Sequence, residues 1–346
     1  AIAHFSFRRG LPLSIRSTFE PLLGDRIHGR IGDAIDILAV VSTLFGVATS
    51  LGLGAMQINA GFAHVFGLQE STGTQVCIIA LITLMATASV VSGLDAGVRR
   101  LSELNMGLAT VLLCFVVVLG PTTYLLRAFF DNLGAYLEYL PQGSFALPSF
   151  VSPEQQQWLG SWTIFYWAWW IAWAPFVGIF IARISKGRTI REFLAGVLLA
   201  PTLAGFVWLT IFGNTALHQE LYGLGGISEA VSGNLPTAIF ILLERYSFSS
   251  LSALVCTLCI VLFFVTSSDS ASLVIDTIAS GGKENPPVAQ RVFWAVLEGL
   301  VAGILLLAGG LSALQTAAIT TALPFCFILL AMCLALFLGL RQEKQK

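Results

Sequence analysis

Charge is what this 346-residue chain has least of: Asp, Glu, Lys and Arg make up 11% of it, while 56% is hydrophobic and the mean hydropathy is +0.84. An ordinary soluble domain carries about a quarter charged residues, so a soluble fold is excluded. Histidine is scarce too, with residues scattered at 4, 28, 64 and 218. There is no HExxH, no P-loop and no GxSxG, so the usual motifs of hydrolysis and nucleotide chemistry are missing. A membrane-embedded enzyme would need His, Asp or Cys converging within a span, and the sequence groups none. The chain is therefore expected neither to be an enzyme nor to carry a cofactor. The six cysteines lie in apolar runs, and Cys256-x-x-Cys259 has no His or second Cys pair near it in sequence. That spacing matches metal or redox sites, but buried free thiols acting as small apolar residues are the expectation. The net charge of −1 says little about partners, and no nucleic-acid partner is expected.

What the chain does have is apolar runs long enough to span a bilayer, about 20 residues each. They lie near 36–62, 74–93, 104–126, 160–182, 190–213, 251–276, 289–310 and 315–340. An all-α polytopic membrane protein follows, with about eight complete transmembrane helices. A ninth run is read as cut, leaving only its end at Ala1-Ile2-Ala3-His4-Phe5. The first residue is Ala with no signal peptide, so the chain is read as a fragment lacking its N-terminal part. Of the 18 Lys and Arg residues, 16 fall on every second loop, which predicts that those loops and both ends are cytoplasmic. Residues 128–157 carry apolar positions at 129, 130, 133, 136, 137 and 140. That spacing predicts a helix lying on the outer surface, against membrane lipids. Residues 214–249 are rich in Gly and Ser, with a short helix expected near 236–245.

The most informative stretch is Trp162-Thr163-Ile164-Phe165-Tyr166-Trp167-Ala168-Trp169-Trp170-Ile171-Ala172-Trp173-Ala174-Pro175-Phe176, with five tryptophans and three other aromatics in fifteen residues. As a helix it places Trp162, Tyr166, Trp169, Trp173, Phe176 and Phe180 on one face, with Trp170 about 100° around from the stripe. A wall of ring faces suits a cation without N–H donors, because a quaternary ammonium is held mainly by cation–π attraction. The competing reading is packing plus an interfacial aromatic belt. A belt is only a turn or two deep, whereas this stripe continues to mid-span.

A second cluster is Phe263-Phe264-Val265-Thr266-Ser267-Ser268-Asp269-Ser270-Ala271-Ser272. Polar residues at membrane depth are expensive. Small hydroxyls can serve packing by bonding back to their own helix, but Asp269 needs a partner, water or a cation. The hydroxyls of Thr266 and Ser267, with a carbonyl one turn earlier at Phe263, offer hard-oxygen ligands for a small cation such as Na+. Both ion ligation and packing stay open. In the first run, Thr43 through Gly61 holds four glycines with Gln57 and Asn59, for which close helix packing is favoured over irregular backbone.

The pattern Trp162-Thr163-x-x-Tyr166-Trp167-Ala168-Trp169-Trp170-x-x-Trp173-x-Pro175-Phe176-Val177-Gly178, followed by Ala182-Arg183-Ile184-Ser185-x-Gly187-Arg188-x-Ile190-Arg191, resembles the signature of the betaine/choline/carnitine transporter family. Thr49-Ser50-Leu51-Gly52-Leu53-Gly54 and Thr266-Ser267-Ser268-Asp269-Ser270 resemble its other motifs. The resemblance implies a LeuT-like fold of two inverted five-helix repeats. It divides a single transmembrane transporter domain, 1–346, into the end of the first repeat at 1–127, an extracellular surface helix and loop at 128–157, and the second repeat with a cytoplasmic tail at 158–346. By the same resemblance Trp170 belongs to a central aromatic box, Trp169, Trp173 and Phe180 line the inner passage, and Phe176 lies between substrate and ion regions. Phe263, Thr266 and Ser267 match sodium ligands. Thr43 matches part of a second sodium site whose other hydroxyl is replaced here by Val47.

The resemblance implies a secondary active symporter for a quaternary ammonium osmolyte, with glycine betaine favoured, Na+ as the coupling ion and a homotrimer in a bacterial cell membrane. The alternatives are a proton-coupled choline transporter and a carnitine/betaine exchanger. A channel or mechanosensitive pore would call for a symmetric pore lining, against which the one-sided aromatic stripe argues.

Overall fold

The structure, a computed structural model, describes residues 1–92, 98–146, 148–283 and 286–344. It is helical, with no strand among the described residues. Eight long helices organise it: α1 (Arg30–Phe66), α2 (Thr72–Ser92), α3 (Val98–Leu119), α4 (Thr122–Ser144), α5 (Phe165–Ile184), α6 (Ile190–Leu209), α7 (Ser249–Ala279) and α8 (Val288–Lys344). Among the described residues seven helical stretches can, by length and composition, cross a membrane, α4 not among them. At about 1.5 Å per residue the 57 residues of α8 would reach roughly 85 Å, about twice a bilayer. The helix is in fact interrupted at Gly309 (φ −161°, ψ 19°) and Gly310 (φ 61°, ψ −146°). The left-handed φ of Gly310 is one that a side chain would resist. The break divides α8 between the apolar runs 289–310 and 315–340.

α1 is the central helix, packed against α7, α8, α5 and α2. Its glycines explain how so many helices approach it. A Cβ added at Gly52 would collide with the Leu314 side chain, one at Gly54 with the Phe264 ring and one at Gly61 with Thr257. The stretch stays α-helical throughout, so these glycines serve close packing and not an irregular backbone. Polar groups reinforce the same contacts. Thr49 Oγ1 lies 2.8 Å from the Phe45 carbonyl of its own helix and 2.9 Å from the Leu314 carbonyl, a few residues past the break in α8.

The expected surface helix begins earlier than residue 128. Gly120-Pro121 ends α3, and α4 takes up Thr122 to Arg127, residues that hydropathy alone joins to the preceding run. Thr122 Oγ1 donates to the Val117 carbonyl at 2.6 Å across the break. α4 is held to the end of α6 by Asn132, whose amide nitrogen lies 2.7 Å from Asn214 Oδ1 and 3.1 Å from Thr210 Oγ1. Between α6 and α7 the chain forms short helices at Thr215–Tyr222, Ile227–Gly233 and Ala238–Glu244. The last falls within the expected 236–245, anchored by the buried Phe240, Leu242 and Leu243. The N-terminal segment returns to the end of α8, where Arg8 Nε lies 2.8 Å from Glu343 Oε2.

Candidate functional site

The aromatic stripe is continuous. Neighbouring rings stand with centroids 5.5 Å apart for Trp162 and Tyr166, 5.8 Å for Tyr166 and Trp169, 6.5 Å for Trp169 and Trp173, 5.4 Å for Trp173 and Phe176, and 6.2 Å for Phe176 and Phe180. A π-helical turn at Gly160–Ile164 leads into α5, and Trp162 stacks on Tyr166 with planes only 8° apart.

The middle of the stripe faces α1. The Trp169 indole N–H is 3.2 Å from both the Gly46 carbonyl and Ser50 Oγ. A Cβ on Gly46 would lie 2.7 Å from Trp173 Cδ1, so only glycine admits that ring without displacement. α1 and α5 thus run antiparallel, with Ser50 level with Trp169 and Gly46 level with Trp173. The same register places Thr43 level with Phe176. Thr43 is fully buried and its hydroxyl has no partner, while the position one turn on is the buried Val47. The structure therefore brings a hydroxyl, but no second one from that turn, to the level of Phe176.

Trp170 points elsewhere. It is 68% exposed and lines an open groove of about 540 Å³ with Trp162, Tyr166, Trp167, Ile171, Ala174 and Leu329. None of these side chains is charged, so a cation here would meet ring faces and not a carboxylate. Pro175 has no N–H for the Ile171 carbonyl one turn earlier, which leaves an acceptor in the wall beside Trp170. Phe180, at the far end of the stripe, is partly exposed, whereas Phe176 is buried.

The polar run of α7 separates onto two faces. Phe263, Thr266 and Ser267 are exposed or half-buried. Thr266 Oγ1 donates to the Leu262 carbonyl at 2.9 Å, which turns its proton into the helix and leaves its lone pairs outward, the orientation a hard cation needs. Ser268, Asp269, Ser272 and Asp276 are instead buried, and Ser268 Oγ donates to Glu298 Oε2 in α8 at 3.1 Å. Periodicity had not exposed Glu298 or Asn105 as site residues; a lone carboxylate and a lone amide inside apolar runs were the available signals. Asn105 is buried in α3. With its amide turned to satisfy both neighbours, it donates to the Cys259 carbonyl at 3.2 Å and accepts from the Phe263 N–H at 3.3 Å, beside the candidate ion ligands. α5 and α7 pack on each other and on α1. Trp173 meets α1 at Gly46 and Phe264 meets it at Gly54, eight residues or about 12 Å apart along the helix. The ring face and the hydroxyl face are thus neighbouring but distinct. Cys256 and Cys259 are buried free thiols, and no group of three His, Cys, Asp or Glu able to hold a metal occurs among the described residues.

Comparison with known proteins agrees with this chemistry. A family model described as "BCCT, betaine/carnitine/choline family transporter" matches residues 1–345. A glycine betaine/proline/choline transporter of Vibrio parahaemolyticus is 49% identical over 342 residues, covering 99% of this chain and 61% of the relative. A glycine betaine transporter of Acinetobacter baylyi is 46% identical, covering 100% and 52%. The glycine betaine transporter OpuD of Bacillus subtilis is 43% identical, covering 100% and 67%. The chain thus spans about three-fifths of the length of the relative it matches at 49% identity. With seven helical stretches among the described residues able to cross a membrane, it is a multi-pass membrane protein, and the chain belongs to the betaine/carnitine/choline transporter family.

Proposed function

We propose that the full-length protein is a secondary active symporter that takes up a quaternary ammonium osmolyte, glycine betaine above choline, across a bacterial cell membrane with Na+ as coupling ion. The observation that carries this is the uncharged aromatic wall around Trp170. A trimethylammonium group has no N–H to donate, so ring faces recognise it at about 0.5–2 kcal/mol each. Several such contacts approach the ~8 kcal/mol of micromolar binding; a single one does not. Names of the relatives, which include glycine betaine, proline and choline, support the substrate class. Trp170 supplies a box wall, Trp169, Trp173 and Phe180 line the passage, and Phe176 with Thr43 stands between substrate and ion. Phe263, Thr266 and Ser267 hold Na+ through oxygen.

In this reading the break at Gly309 and Gly310 separates two spans, giving eight in all. The spans form part of a LeuT-like pair of inverted five-helix repeats, and the assembly is a homotrimer with α4 at its interface. A proton-coupled choline transporter is the second reading, favoured by the buried carboxyl groups of α7 and α8. Titration of the full-length protein with glycine betaine, read by tryptophan fluorescence in wild type and Trp170→Ala, tests the substrate site. Equal affinities would remove Trp170 from it.

A further inference from the structure

Two adjacent hydroxyls in the middle of α1 reach different neighbours. Thr49 Oγ1 donates to the Leu314 carbonyl of α8, while Ser50 Oγ meets Trp169 of α5. Ser50 is buried, and its Oγ also donates back to the Gly46 carbonyl of its own helix at 3.1 Å. Such back-bonding fixes the hydroxyl proton along the helix, which leaves an oxygen lone pair facing α5. The Trp169 indole N–H is shared between that lone pair and the Gly46 carbonyl, at 3.2 Å from each. Ser50, Gly46 and Trp169 thus close a ring of three hydrogen bonds between the two helices.

The indole is held by rings as well as by its N–H. Phe165, one turn earlier and itself buried, stacks on Trp169 with centroids 5.6 Å apart and planes 13° apart. Tyr166 and Trp173 stand steeply to it, with planes at 67° and 80°. One face of Trp169 is thus given to Phe165, and a cation reaching this half-buried side chain must meet the other. Trp173 is held differently. It packs against Gly46, but its buried N–H has no partner among the described residues. Of these two indoles, Trp169 is the one whose orientation hydrogen bonds set.

A cation is attracted to the face of an aromatic ring and repelled by its edge, so the tilt of a ring decides what it offers a passing ammonium. One acceptor would let an indole pivot about its N–H···O axis; a second acceptor restricts that pivot. A buried hydroxyl that supplies the second acceptor therefore shapes the site without touching the solute. We propose that Ser50 is a positioning residue for the quaternary ammonium solute. Its hydroxyl, braced on Gly46, holds the Trp169 indole with the face opposite Phe165 open to the trimethylammonium group. This role rests on the reading of Trp169 as a ring of the betaine passage, and it extends that reading to a residue of α1 outside the aromatic stripe.

The test joins glycine betaine calorimetry to ultraviolet resonance Raman spectroscopy of the full-length protein. The indole N–H band lost in Trp169→Phe identifies this residue. In Ser50→Ala that band should shift toward weaker hydrogen bonding, with or without betaine. Betaine binding in Ser50→Ala should weaken roughly three- to tenfold, the effect of one lost hydrogen bond. In the Trp169→Phe background, which has no N–H to hold, the same serine substitution should change affinity by less than about twofold. Ser50→Cys, close to serine in volume and a poor acceptor, carries the same expectations if the alanine variant does not fold. Equal losses in both backgrounds, no loss beside an intact Trp169, or an unmoved Raman band overturns the proposal. A wild type that binds no betaine removes the substrate reading itself, and this role with it.

Discussion

The Trp169 indole N–H meets the Gly46 carbonyl at 3.2 Å, and it does so because neither residue at the crossing of α1 and α5 has spare volume. A methyl group on Gly46 would lie 2.7 Å from Trp173 Cδ1 and 3.2 Å from Ala172 Cβ. Gly46→Ala should therefore overpack the crossing and cost about 1–3 kcal/mol, lowering the thermal unfolding midpoint of the full-length protein. An unchanged midpoint would mean the two helices are not held this closely.

Trp170 makes no such structural contact, being 68% exposed on the groove. Trp170→Ala should leave thermal stability nearly unchanged while weakening glycine betaine binding by roughly 2–4 kcal/mol, one desolvated cation–π contact plus lost burial. Trp170→Phe should recover part of the loss. Isothermal titration on both variants checks the order.

The stripe of rings was legible because period 3.6 is written directly in Trp162, Tyr166, Trp169, Trp173, Phe176 and Phe180, and each consecutive pair is in ring contact. The glycines of the first run likewise announced close packing. Orientation around a helix is harder to read. The cluster from Phe263 to Ser272 is one polar stretch in sequence but two faces in space, and only the structure separates Thr266 and Ser267 from Ser268 and Asp269. The carboxylate that Ser268 donates to, Glu298, lies 30 residues on, brought there by the antiparallel packing of α7 and α8 and not by local pattern. The boundary at Gly120-Pro121 was hidden by apolar residues on both sides of it.

On the hydroxyl face, replacing Thr266 and Ser267 together with Ala removes the two hydroxyls proposed as Na+ ligands but no large packing group. The sodium concentration for half-maximal uptake should rise tenfold or more, about 1.4 kcal/mol, with betaine affinity at saturating sodium little changed. Uptake that never depended on sodium, but collapsed with a protonophore, would favour proton coupling.

Asn105 bridges the Cys259 carbonyl and the Phe263 N–H from a neighbouring helix. Asn105→Leu should cost about 1–2 kcal/mol for the lost bonds and shift the sodium dependence in the same direction as the ligand variants, because the Phe263 backbone is no longer tethered to α3. Uptake against sodium concentration, compared with Asn105→Gln, reads that shift.

Phe130 and Leu137 are exposed along α4. If α4 joins protomers, Phe130→Glu with Leu137→Glu should move the detergent-solubilised full-length protein from trimer toward monomer by native mass measurement while betaine binding persists. A trimer that survives both charges would leave α4 resting on lipid headgroups.

The central claim is that this family member carries a quaternary ammonium solute by alternating access through the site beside Trp170. Counterflow exchange tests it most directly: proteoliposomes of the full-length protein, loaded with unlabelled glycine betaine, are diluted into a trace of labelled betaine. The account predicts transient accumulation of label above its equilibrium level, abolished in Trp170→Ala and absent when alanine replaces betaine as the internal load. Label that merely equilibrates in wild type, as through a channel, or that accumulates equally in Trp170→Ala, would contradict it.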